Sequence, residues 1–122
     1  MGGYILKKKI AVFTNYNHKI GLGHIYRCIN FADIFCNKIK ISFFINKKFP
    51  KLKYPSYIFC NKIDNLVKIN NFLKNNKYKN ILFDIDNNVN SKKKLLKIYN
   101  FFIKKNYNTV CWDNLSNLKC KF

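Results

Sequence analysis

Short apolar runs alternate with longer stretches in which apolar residues recur every three or four positions, and this alternation narrows the fold to one class. Lys9–Thr14, Lys40–Asn46, Tyr57–Cys60, Ile81–Phe83 and Thr109–Trp112 read as five strands, each too apolar to keep a solvated face. Ile25, Cys28, Ile29, Ala32, Phe35 and Cys36 mark a core-facing stripe on a helix from about Gly23 to Asn37. Asp64 is placed to cap a second helix running to about Asn75, with Leu66, Ile69 or Asn70, and Leu73 facing inward. Ser91 is placed to cap a third, whose apolar face is Leu95, Ile98, Tyr99, Phe102 and Ile103. Apolar strands joined by amphipathic helices predict an α/β class: a Rossmann-like, doubly wound parallel sheet of about five strands, in the order 3-2-1-4-5. In that order the first and fourth strands lie side by side where the winding reverses, and ligands bind beyond their carboxyl ends.

Composition bounds the partners. The 122 residues suffice for one domain with a real core. Against 24 basic residues stand 5 acidic ones, a net charge of +19 that by itself points to nucleic acid or an anionic membrane surface. Every basic residue except Arg27 is a lysine, glutamate is absent, and Asn, Ile, Phe and Tyr are abundant, the set that A/T-rich codons favour. Nucleic-acid readers rely on arginine forks and concentrated charge, whereas these lysines are spread along the sequence, so no specific nucleic-acid partner is expected. Cys28, Cys36, Cys60, Cys111 and Cys120 form no Cys-x-x-Cys pair and lack histidines at zinc spacing, so a reducing, cytoplasmic compartment and no metal site are expected. No targeting segment and no transmembrane segment is legible, and no cofactor is implied.

The chemistry concentrates where the first strand gives way to the first helix. Gly21-Leu22-Gly23 allows a tight turn and close approach of the main chain to a diphosphate or sugar; a plain turn is the alternative. His24 follows at the positive end of the helix dipole, which disfavours the imidazolium and keeps a neutral ring available as a general base; a cap or a packed ring is the other reading. Arg27, three residues on, is the sole guanidinium, suited to a phosphate or carboxylate ligand or to an internal bridge with Asp84 or Asp113. Asp84, Asp86 and Asp113 all fall at strand ends, where a carboxylate orients a base, holds sugar hydroxyls or caps the next element; Asp113-Asn114 is more site-like than Asp86. Asp33 reads as a solvated helix residue, and the cysteines of the first helix read as core.

The run Gly21, Gly23, His24, Arg27, Cys28 resembles, without a gap, the Gly-x-Gly-His-x-x-Arg-Cys motif of the UDP-sugar hydrolases of pseudaminic acid biosynthesis and their relatives in surface-polysaccharide clusters. Those enzymes are of the two-domain GT-B type and related to the peptidoglycan N-acetylglucosaminyltransferase. Ile81–Asp84 is similar to the family's Val-Asp segment and Val110–Leu115 to its later Ile-Asp-Asp-Leu segment, so the likeness runs from about Lys9 to Cys120. It implies a metal-independent hydrolase in which His24 helps activate the water that attacks the anomeric carbon and UDP departs. Gly21, Leu22, Gly23 and Arg27 would then shape the substrate pocket, with Asp84, Asp113 and Asn114 also on the substrate. Thr14–His18 stands where many members have Arg-x-Asp-x-Ser, and Asn114 replaces the second acid of the usual pair, so the sugar is expected to differ.

In the GT-B plan the uridine and diphosphate are held mainly by a carboxyl-terminal domain. Residues 1–122 are accordingly expected to form a single amino-terminal Rossmann-like domain, with that second domain absent or separately encoded. Alone it should turn over little, because orientation between two walls is worth about 7–11 kcal/mol in model reactions. Half of a GT-B glycosyltransferase is an alternative, and so is a non-catalytic binding domain that retains the fold.

Overall fold

The computed structural model describes residues 8–15, 23–49, 52–60, 62–84 and 89–111, with the side chains of 23–24, 89–95 and 111 left aside. Five strands and three helices follow one another as β1 (Lys8–Thr14), α1 (Gly23–Phe35), β2 (Ile39–Ile45), β3 (Ser56–Ile58), α2 (Ile63–Asn75), β4 (Asn80–Asp84), α3 (Val89–Ile103) and β5 (Asn108–Cys111). All strand pairs are parallel, in the order β3-β2-β1-β4-β5. This is the α/β, Rossmann-like arrangement that the alternation predicts. Among the described residues no helix is long and apolar enough to cross a membrane.

Side-chain alternation divides the core into two layers. Ala11 and Phe13 of β1, Phe44 of β2, and Ile81 and Phe83 of β4 face α2 and α3, where Leu66, Leu73, Ile98 and Phe102 close over them. Phe13 is the hub: its ring lies 4.8 Å from Phe44, 5.1 Å from Phe59, 5.2 Å from Phe83 and 5.4 Å from Phe102. On the other face Val12, Ile41, Phe43, Ile45 and Leu82 meet α1 through Ile25, Cys28 and Ala32, with Phe49 from the β2–β3 connection. Small side chains at Cys28 and Ala32 let that helix approach the sheet closely. β1 and β4 each end in four consecutive buried residues and show no polar alternation.

Several boundaries differ from expectation, each for a local reason. Helix α1 stops at Phe35, where the Lys38 N–H donates to the Phe35 carbonyl and turns the chain into β2. Phe35 is partly exposed and Cys36 exposed, so neither belongs to the core stripe. Lys62, not Asp64, occupies the N-cap of α2, with extended backbone and no side-chain cap bond. Asp64 instead sits in the first turn, where it complements the helix dipole. Helix α3 begins at Val89, so Ser91 lies inside it and is not its cap. In β3 all three residues are exposed, and Phe59, the next residue, enters the core.

Candidate functional site

The winding reverses between β1 and β4. The chain leaves β1 through α1 toward β2 on one side and returns through α2 to β4 on the other, and in sheets of this order ligands bind beyond the carboxyl ends of these two strands. Thr14 and Asp84 are register partners there, and both are fully buried. The Thr14 hydroxyl donates to the Asp84 main-chain carbonyl at 2.9 Å, tying the two strand ends together.

Alternation along β4 puts Asp84 on the same face as Leu82, toward α1. One turn into that helix stands Arg27. Its Nε donates to Asp84 Oδ2 at 3.0 Å and its Nη2 to Oδ1 at 2.5 Å, a bidentate fork on the carboxylate. Cys28, the next residue, donates its thiol to Asp84 Oδ2 at 3.3 Å. A carboxylate without solvent contact is tolerated only when charge and donors surround it, and here a guanidinium and a thiol do so. Burial, then the adjoining Asp84 charge and its hydrogen bond, push the Cys28 thiol well above the ordinary range; Thr14 and Arg27 act weakly the other way. The thiol is therefore a protonated donor, not a nucleophile.

Of the two readings open for Arg27, the structure shows the internal bridge, and it selects Asp84 as the partner. Asp84 stands on the predicted crevice edge, but its carboxylate is turned inward onto Arg27 and Cys28 instead of toward a sugar hydroxyl. Arg27 keeps about a third of its side chain (34%) accessible while its fork is held by Asp84. Gly23 opens α1 and His24 lies in its first turn, which brings the motif to the same strand ends as Arg27. Gly21, Leu22, Asp86, Asp113 and Asn114 lie outside the described residues, as does the side chain of His24. Asp113 follows closely on β5, the strand next to β4. Asp33, expected on a solvated face, is exposed and accepts a 2.6 Å bond from the Tyr54 hydroxyl, which pushes that phenol up to about 12.

Sequence reasoning missed two members of the cluster. Cys28 was assigned to the core, which it joins, but its bond to Asp84 was not foreseen; its place directly after Arg27 was the available signal. Thr14 closes the apolar run Ile10–Phe13, and a buried hydroxyl there needs a partner across the register.

Comparison with protein-family profiles, with curated proteins and with solved structures found no match.

Proposed function

We propose that this chain supplies the sugar-facing half of a GT-B-type enzyme that cleaves a UDP-activated amino sugar, in the manner of the UDP-sugar hydrolases its glycine-histidine-arginine motif resembles. The observation that carries the reading is the Arg27 guanidinium held on buried Asp84 at the carboxyl ends of β1 and β4, one helical turn after Gly23. In this proposal His24 takes a proton from water as the water oxygen bonds to the anomeric carbon. The bond to UDP breaks, and its electron pair leaves on the diphosphate. Arg27, positioned by Asp84 and Cys28, stabilises charge developing in the pocket, and the Gly21–Gly23 main chain lies against the sugar or diphosphate. A second, nucleotide-holding domain completes the cleft, whichever polypeptide provides it.

The test is release of UDP from UDP-N-acetylhexosamines, with a companion nucleotide-binding domain supplied. Turnover that His24→Ala lowers at least about 100-fold is expected, the lower bound of general-base catalysis. Absence of both binding and turnover under those conditions contradicts the reading and favours a non-catalytic domain.

A further inference from the structure

A/T-rich codons favour lysine in number, whereas the fold decides where the lysines stand. In a parallel sheet joined by helices, every helix-to-strand turn falls at the amino ends of the strands. Lys8 and Lys9 open β1 at that edge, and Lys38 and Lys40 flank the start of β2. Lys74, Lys77 and Lys79 surround the α2–β4 turn, and Lys104 and Lys105 the α3–β5 turn. All of these but Lys9 are exposed. Asp33, the described acid in the last turn of α1, is bonded to the Tyr54 hydroxyl.

An apolar groove adjoins this charge. On the α1 face no second described helix covers β4 and β5, and a cavity of about 650 Å³ opens there between Ile10, Phe31, Ile39, Leu82 and Val110. Lys8, Asn80 and Asn108 at its lip also border the polar groove that contains Lys77 and Lys79. Hydrocarbon and positive charge thus share one rim.

We propose that this edge docks on an anionic lipid bilayer, with the lysines against headgroup phosphates and the groove taking an acyl chain. Lysine is a point charge that pairs with phosphate without demanding orientation, and an anionic leaflet responds to the number of such charges close to it. The groove contributes apolar contact that a lipid can use and a phosphodiester backbone cannot. Nucleic acid fits less well: the edge has no arginine for bidentate contacts, and its tyrosines, Tyr78 and Tyr107, are buried. Docked this way, the crevice at the opposite strand ends faces away from the membrane, open to a soluble nucleotide sugar. The inference stands independently of the hydrolase reading.

The experiment is co-sedimentation of the 122-residue chain with vesicles of phosphatidylcholine alone, or of seven parts phosphatidylcholine to three of phosphatidylglycerol. Binding to the mixed vesicles only is expected. Combined Lys8→Gln, Lys77→Gln, Lys79→Gln and Lys105→Gln should weaken it at least about tenfold, while the same charge change at Lys47, Lys48, Lys62 and Lys68 should leave it within about twofold. Phe31→Gln should weaken it about threefold and Phe31→Leu restore it, with circular dichroism confirming that each variant is folded. Equal losses from the two lysine sets, equal binding to both vesicles, no binding to either, or displacement from the vesicles by short duplex DNA would overturn the proposal.

Discussion

At the scale of single residues, the account turns on one buried carboxylate and the two neighbours that share it. Removing Arg27 leaves Asp84 without its counter-charge inside the protein. Because Arg27 is 34% exposed, Arg27→Ala should cost about 2–4 kcal/mol in urea unfolding, somewhat less than for a fully enclosed pair. Arg27→Lys should recover only part of it, since an ammonium cannot reproduce the two-toothed fork. Cys28 gives a pH prediction whose sign follows from its raised folded-state value. The unfolded thiol ionises near its ordinary 9.0 while the folded one holds its proton, so stability is complete below that pH and declines as pH rises above it. The exposed Tyr54 phenol, raised by its bond to Asp33, and buried Tyr107 act in the same direction. The urea midpoint should therefore fall as pH rises from about 9 to 10.5, and Cys28→Ser should flatten that fall. That Arg27 mattered was legible because it is the only guanidinium; its partner was not, because Asp84 and Asp113 both end strands on the same edge. Cys28 hid because a thiol among Ile25, Ile29 and Ala32 reads as one more apolar residue.

At the scale of elements, periodicity and burial agree where the sheet sets the pattern. The inward stripe of α2 contains Leu66, Ile69, Asn70 and Leu73, and Asn70 is buried because its side-chain oxygen accepts a 2.8 Å bond from the Tyr107 hydroxyl. Helix ends were less legible. A cap depends on where the chain crosses the rim of the sheet, and Asp64 and Ser91 only resemble caps by residue type. The far ends of α2 and α3 show the converse case. Lys77 at φ 60° and Asn106 at φ 66° both adopt the left-handed conformation that closes a helix, and lysine lacks asparagine's tolerance for it. Lys77→Gly should accordingly raise stability by roughly 1 kcal/mol in chemical denaturation. The same replacement removes one lysine from the proposed membrane edge, so stability and vesicle binding should move in opposite directions.

For the whole molecule, strand order was legible because apolar strands linked by helices admit few right-handed arrangements. The division of the core was not, since it depends on which way each strand's alternation points. Phe13 lies at its centre, and Phe13→Ala should cost about 3–5 kcal/mol, against Phe13→Leu at about half that. The collection of lysines on one edge was also illegible, because residues spread along the chain converge only once the helix-to-strand turns are stacked. The resulting molecule has two unlike ends: a charged amino-end edge, and a carboxyl end where Arg27 holds Asp84 beside the predicted ligand crevice. Amide chemical-shift mapping of the isotope-labelled chain, titrated with millimolar UDP-N-acetylglucosamine, most directly tests whether that crevice is a nucleotide-sugar site. Shifts confined to residues 21–28 and the end of β4, and abolished by Arg27→Ala in a protein that remains folded, are the predicted result. Shifts centred on the lysine edge, or none at saturating ligand with the companion domain present, would contradict it.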